Sequence, residues 1–184
     1  MTMMESSQRH KPNILITGTP GVGKSTLASK IVEEEHSGSF MHVNVGEIAR
    51  EQDCFESFDR ERNCHVLDEE KLLDFLEDTM DKVDGGIIAD YHSSDFFPER
   101  WFDAVFVLRT DNTVLYDRLK SRGYAEAKIR ENVECEIFGT LEEEAKEAYR
   151  AEIVQILQSN TADDMERNWE AILEWLKAWK GDGA

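Results

Sequence analysis

Residues Gly18-Thr19-Pro20-Gly21-Val22-Gly23-Lys24-Ser25 form one uninterrupted G-x-x-x-x-G-K-[ST] pattern, directly after the apolar run Ile14-Leu15-Ile16-Thr17. Such a loop turns its backbone N–H groups toward phosphate oxygens and hands them to the N-terminus of the next helix. Glycines at 18, 21 and 23 allow close backbone approach and positive φ. In this pattern Lys24 reaches the β- and γ-phosphates and the Ser25 hydroxyl ligates Mg²⁺. The chemistry expected here is that of a bound nucleoside triphosphate.

A second set of chemical groups follows the apolar run Gly86-Ile87-Ile88-Ala89, which ends in Asp90. A carboxylate at the end of a buried strand is where proteins with such a loop hold Mg²⁺, often through water. His92 stands two residues on, where it could order a nucleophile or a water, or only hydrogen-bond its own loop. Phosphoryl transfer also needs cations on the transferred group and on the acceptor. Arg50, Arg100, Arg109, Arg118 and Arg122 are placed for such roles, and Arg118 and Arg122 share a helix face at i, i+4 before a Gly123-Tyr124 turn. Arg109 and Arg130 could equally be solvated surface residues.

Elements that would carry these groups alternate along the chain. Strand signals fall at 13–17, 41–43, 86–89, 104–108 and, more faintly, 153–157. Helical patterns occupy 24–35, 46–52, 68–82 and 112–121. A long helix is expected from Ala125 to about Arg150, with Ile129, Val133, Ile137 and Leu141 spaced at i, i+4. Thr161-Ala162-Asp163-Asp164 approximates a capping box with Asp for Glu. The helix after it would bury Met165, Trp169, Ile172, Leu173 and Leu176, its tryptophans serving packing. Strand–helix alternation implies an α/β fold with a parallel sheet, whose ligands sit at the carboxyl ends of the strands. The charged and aromatic stretch 53–67 is longer than a connection needs and reads as a mobile functional arm. Residues 1–11 read as a disordered tail.

Composition narrows the function. The chain has 184 residues, fitting one domain, with 39 acidic against 21 basic residues and a formal charge of −18. Such a surface repels a phosphate backbone, so direct non-specific binding of nucleic acid is not expected, and basic protein partners are favoured. Cys54, Cys64 and Cys135 form no zinc-binding spacing, and their odd number suits a reducing compartment. No apolar run approaches membrane-spanning length, and the polar first dozen residues do not resemble a secretion signal.

The chain resembles the adenylate kinase isoenzyme 6 family. The resemblance rests on Pro12–Thr26, Val43–Glu51, Ala89–Thr110, Val114–Tyr124 and Asn132–Phe138. The strings Asp90-Tyr91-His92 and Asp95-Phe96-Phe97-Pro98-Glu99-Arg100-Trp101 are its specific marks, since ordinary adenylate kinases carry Asp-Gly-Phe-Pro-Arg there. It implies a P-loop nucleoside monophosphate kinase fold with a five-stranded parallel sheet, a monophosphate-binding arm at 44–67 and a short lid at 121–131. It implies ATP contacts at Gly21, Gly23, Lys24, Ser25, Thr26 and Arg122, and Mg²⁺ at Ser25 and Asp90. Monophosphate contacts would come from Gly46, Arg50 and Arg100, and the catalytic set would be Lys24, Asp90, His92, Arg118 and Arg122. The implied activity is transfer from ATP to AMP or related monophosphates, with ATP hydrolysis and a role in maturing the small ribosomal subunit and its 18S rRNA. The ribosomal protein uS11 is the implied partner, the monomer the implied state, and nucleus and cytoplasm the implied locations. Alternatives are an ATPase assembly factor with weak kinase activity, and a small-metabolite kinase on the same fold. One departure stands out. The lid's returning segment, Glu131-Asn132-Val133-Glu134-Cys135-Glu136, is acidic where long-lid relatives supply arginines.

Overall fold

A computed structural model describes residues 9–35, 38–61, 64–82 and 84–180. Five strands form a parallel sheet: β1 (Ile14–Thr17), β2 (Met41–Asn44), β5 (Ile87–Asp90), β6 (Ala104–Arg109) and β7 (Val154–Gln158). Their spatial order is β2-β5-β1-β6-β7, so the chain crosses over between neighbours. The connecting helices must therefore cover both faces. Alternation along β1 decides which side chain goes where: Leu15 points to one face, Ile14 and Ile16 to the other. Every residue of β1 is buried, which is why this strand reads as a continuous apolar run.

Helices α2 (Val45–Glu51), α3 (Glu69–Lys82) and α6 (Thr140–Ala148) cover the Leu15 face with Val45, Leu72, Leu76 and Ala145. The opposite face receives α1 (Lys24–Glu34), α4 (Asn112–Ser121), α5 (Glu126–Phe138) and α7 (Ala162–Ala178), through Leu27, Ile31, Leu115, Ile129 and Ile172. Burying each Leu or Ile contributes about 1.5–3 kcal/mol, so both layers are needed to offset chain entropy. Helix α7 starts on the expected capping box. The Thr161 hydroxyl accepts from the Asp164 N–H at 3.1 Å, and the Asp164 carboxylate accepts from the Thr161 N–H at 3.0 Å. Ile172 is its fully buried apolar residue, while Met165, Trp169, Leu173 and Leu176 pack half-buried around it. Trp175 meets Phe106 edge-on, and Lys30 lies 4.6 Å over the Trp169 ring.

Three features depart from the sequence reading. The long helix expected over 125–150 is two helices, α5 and α6, hinged at Gly139 (φ 65°, ψ 27°). The apolar series that suggested one helix does not mark one buried face, since Ile129 is buried and Ile137 is 54% exposed. The bend brings Glu136 of α5 and Glu142 of α6 onto the same guanidinium, that of Arg109. Stretch 53–67 carries an antiparallel hairpin, β3 (Phe55–Asp59) and β4 (Cys64–Leu67), with Phe55 opposite Leu67 and Phe58 opposite His65. Residues 1–8 of the expected tail lie outside the described residues. Arg9, also assigned to that tail, is docked on the fold and donates to the carbonyls of Trp101 (2.9 Å) and Arg100 (2.6 Å).

Gly139→Ala is expected to destabilise the protein by about 1–2 kcal/mol, the cost of a left-handed conformation for a residue with a Cβ. That Cβ would also sit 3.3 Å from the Arg109 guanidinium. Urea unfolding measures this, and an equal or higher stability in the variant would show that the bend does not depend on glycine.

Candidate active site

The phosphate loop lies between the end of β1 and the start of α1. Gly18, Gly21 and Gly23 all have positive φ. At Gly18 the constraint is steric as well, because a Cβ there would lie 2.6 Å from the Leu108 carbonyl oxygen on the neighbouring strand. Lys24 Nζ donates to the carbonyls of Gly18 (2.7 Å) and Thr19 (3.1 Å), folding its charge over the loop. Desolvation lowers its pKa to about 8, helped by the positive charge of Arg122 and opposed by Asp90 and Glu136. The ammonium is thus poorly solvated, and a phosphate placed against it would gain a strong partner. Ser25 and Thr26 are exposed on the first turn of α1.

Three side chains brace this loop. Ser159, after β7, donates its hydroxyl to the Val22 carbonyl at 2.6 Å. Arg118 of α4 donates to the carbonyls of Ser159 and Asn160, both at 2.9 Å. Its guanidinium therefore spans the loop's support, with Arg122 one turn further on α4 as that helix's C-cap. Partial burial lowers the Arg118 pKa, and the charge of Arg122 adds to the effect.

The third brace is Glu136, 3% exposed. Its carboxylate accepts from the Thr19 hydroxyl (2.6 Å), Arg109 Nε (2.8 Å) and the Thr110 N–H (2.9 Å). A buried carboxylate is tolerated only when so completely paired. The acidic returning segment thus serves the phosphate loop. Nothing in the spacing of Glu136 announced this, because the contact crosses 117 positions of sequence.

Asp90 closes β5, 4% exposed, beside β1 and β2 in the sheet. Ser25 Oγ donates to Asp90 Oδ1 at 3.0 Å, and His42 Nε2 donates to Oδ2. Asn44 of β2, which pairs in register with Asp90, places Nδ2 3.4 Å from Ser25 Oγ. His42 and Asn44 were not recognised in sequence, although their spacing at i, i+2 sets them on one side of β2. Ser25 and Asp90 offer hard oxygen donors about 3 Å apart, as neighbouring ligands stand in an octahedron of 2.0–2.1 Å bonds. That donor set suits Mg²⁺, which is normally held by few protein oxygens together with phosphates and water. Among the described residues no group of three His, Cys, Asp or Glu side chains could hold a metal by itself.

Next to Asp90 opens a cavity of about 620 Å³, lined by Gly46, Arg50, Phe55, His65, Tyr91, His92 and neighbours. The hairpin forms one wall, with Phe55 and His65 rings 4.8 Å apart. Gly46 lies beside Arg50, where a Cβ would make only ordinary contacts, 3.8 Å from Arg50 Nη1 and from the Tyr91 ring. His92 reaches solvent at the cavity mouth yet is largely surrounded by protein. Desolvation first, then the charges of Lys24 and Lys128, hold its pKa below the ordinary histidine value. Its imidazole is neutral at neutral pH and able to accept a hydrogen bond. Lys128 of α5, within the expected lid, was another cation overlooked in sequence.

The structure does not bring Arg100 to this cavity. It lies on a 3₁₀ turn (Glu99–Trp101), exposed and paired with Glu77 at 3.3 Å. Arg50, by contrast, lines the cavity, and its guanidinium has no ion pair or hydrogen bond among the described residues.

Comparison with known proteins agrees with this architecture. A family model described as an AAA domain matches residues 14–139. A Caenorhabditis elegans protein named adenylate kinase isoenzyme 6 homolog is 52% identical over 180 residues, covering 98% of this chain and 97% of that one. A Drosophila melanogaster protein of the same name is 48% identical, covering 97% and 99%. One from Saccharomyces cerevisiae, adenylate kinase isoenzyme 6 homolog FAP7, is 43% identical, covering 94% and 86%. Among solved structures, a tunicamycin resistance protein from Deinococcus radiodurans superposes with a TM-score of 0.61 at 18% identity, covering 95% of this chain and all of that one. A shikimate kinase from Acinetobacter baumannii does so with 0.59 at 16%, covering 92% and 95%. At such identities these structures establish the P-loop kinase fold alone. The near full-length relatives go further: this chain belongs to the adenylate kinase isoenzyme 6 family.

Proposed function

We propose that the protein transfers the γ-phosphoryl group of Mg²⁺-bound ATP to AMP or a related nucleoside monophosphate. The observation that carries this reading is an arginine at the wall of a cavity beside the phosphate loop. Arg50 there can grip a monophosphate with two N–H groups. Backbone N–H groups of residues 18–25 hold the donor phosphates, while Lys24 and Arg122 face the charge that spreads over them. Mg²⁺ held by Ser25 and Asp90 would offset further negative charge on the phosphates. The acceptor oxygen attacks phosphorus in line, the bond to the ADP oxygen breaks, and arm and lid exclude water. Arg118, engaged with two backbone carbonyls, holds the loop in place.

A second reading shares the same site: ATP hydrolysis that drives an assembly role with a basic protein partner. Neutral His92 beside Asp90 favours it, because an imidazole that accepts a hydrogen bond can orient a water. The formal charge of −18 favours a basic partner, and the family resemblance suggests uS11 and maturation of the small ribosomal subunit in nucleus and cytoplasm.

Labelled ATP separates the two readings. With AMP present, label is expected in ADP formed from AMP; without it, slow release of free phosphate. Lys24→Ala is expected to lower both about 10²–10³-fold. Unchanged turnover in the folded variant would remove the phosphate loop from the chemistry.

Arg50→Ala is expected to raise the KM for AMP about 10–100-fold, the worth of a charge-assisted phosphate contact, with little change for ATP. Steady-state kinetics with each substrate varied would refute the acceptor assignment if both KM values rose together.

His92→Gly is expected to slow phosphate release about 10²-fold while ATP affinity stays constant. Calorimetric ATP binding run beside the phosphate assay decides this, and a parallel loss of binding would make His92 a scaffold residue.

A further inference from the structure

Asp90 has its two oxygens committed differently. Oδ1 accepts from Ser25, the hydroxyl that stands beside it in the metal donor pair. Oδ2 is taken by His42 Nε2. A carboxylate only accepts, so Nε2 carries the hydrogen. The other ring nitrogen, Nδ1, lies 3.3 Å from the Ser29 hydroxyl, which can donate to it. Ser25 and Ser29 are one helical turn apart on α1, so a single helix face closes a ring of contacts, Ser25–Asp90–His42–Ser29. Three elements (α1, β2 and β5) meet there and fix the plane of the carboxylate. The His42 side chain is itself only 20% exposed, which limits how far the ring can swing away.

We propose that His42 is a positioning residue that leaves Asp90 a single oxygen for metal and so makes this site select Mg²⁺ over Ca²⁺. The argument rests on the reading that Ser25 and Asp90 hold the nucleotide's cation. Mg²⁺ takes six ligands at 2.0–2.1 Å, one carboxylate oxygen at a time. Ca²⁺ takes six to eight at 2.3–2.6 Å and often chelates both oxygens of a carboxylate. With the His42 N–H on one lone pair of Oδ2, chelation would have to share or displace that hydrogen bond, whereas binding through Oδ1 alone leaves the His42 contact intact. Groups that orient a ligand in this way commonly change metal affinity 10–100-fold when removed.

The test uses the full chain and a non-hydrolysable ATP analogue, titrated calorimetrically in EDTA, in Mg²⁺ and in Ca²⁺. His42→Phe keeps a ring and removes both nitrogens; His42→Gln keeps a donor for Oδ2. His42→Phe is expected to lower the ratio of Mg²⁺-supported to Ca²⁺-supported affinity about tenfold, with affinity in EDTA unchanged. His42→Gln is expected to recover most of that ratio. An unchanged ratio in His42→Phe overturns the proposal. An equal fall in EDTA, Mg²⁺ and Ca²⁺ also overturns it, since His42 would then be supporting only the fold. Asp90→Asn separates the proposal from the reading beneath it. If Asp90→Asn keeps the full strengthening by Mg²⁺, the metal site itself is wrong. If it loses that strengthening while His42→Phe keeps its selectivity, only the role of His42 fails.

Discussion

A buried charge with no water to solvate it must find its partners inside the protein, and Glu136 shows how much structure this requirement organises. Its carboxylate is satisfied by a hydroxyl of the phosphate loop, a backbone N–H just after β6 and the Arg109 guanidinium. Losing Arg109 would leave a buried charge unpaired at a cost of about 3–5 kcal/mol, and losing either neutral donor about 1–3 kcal/mol. Arg109 in turn binds Glu142 across the Gly139 corner, so the bend between α5 and α6 belongs to the same network. Helix α5 begins right after the turn that carries Arg122, and the network ties its far end to the loop it faces. The acidic segment that replaces lid arginines is therefore part of the support of the phosphate loop.

Around that support, the sheet gathers the chemistry at its carboxyl edge, as parallel sheets do. Lys24 and Ser25 follow β1, Asp90 ends β5, His42 and Asn44 lie on β2, and Ser159 follows β7. None of these groups is on a long flexible connection. Their separations are fixed by strand spacing and by helix α1, which suits a reaction in which positioning and fixed charge do most of the work. The cavity beside Arg50 differs. One wall is the β3–β4 hairpin, a two-stranded unit outside the main sheet that packs on the core through Phe55 and Leu67.

The phosphate loop was legible because its backbone geometry is local: glycines at fixed offsets, a lysine and a serine, a strand before and a helix after. The buried strands β1, β5 and β6 and the cap of α7 were legible for the same reason, since burial on both faces and capping chemistry leave marks within a few residues. The α5–α6 bend was hidden because an apolar i, i+4 series continues across Gly139 although Ile137 faces solvent. The hairpin was hidden because its pattern is set by cross-strand pairs such as Phe58 and His65, which propensity along one strand does not reveal.

The sequence by itself determined that this chain builds a parallel α/β sheet carrying a phosphate loop, with Asp90 as the carboxylate beside it. Tertiary structure alone decided which side chains join them. It put His42 on Asp90 and Glu136 under Thr19, engaged Arg118 with backbone carbonyls, and left Arg100 on the surface with Glu77. The physical reason is range. Backbone conformation is written in neighbouring residues, whereas desolvation and charge pairing depend on partners that only crossover connections bring together.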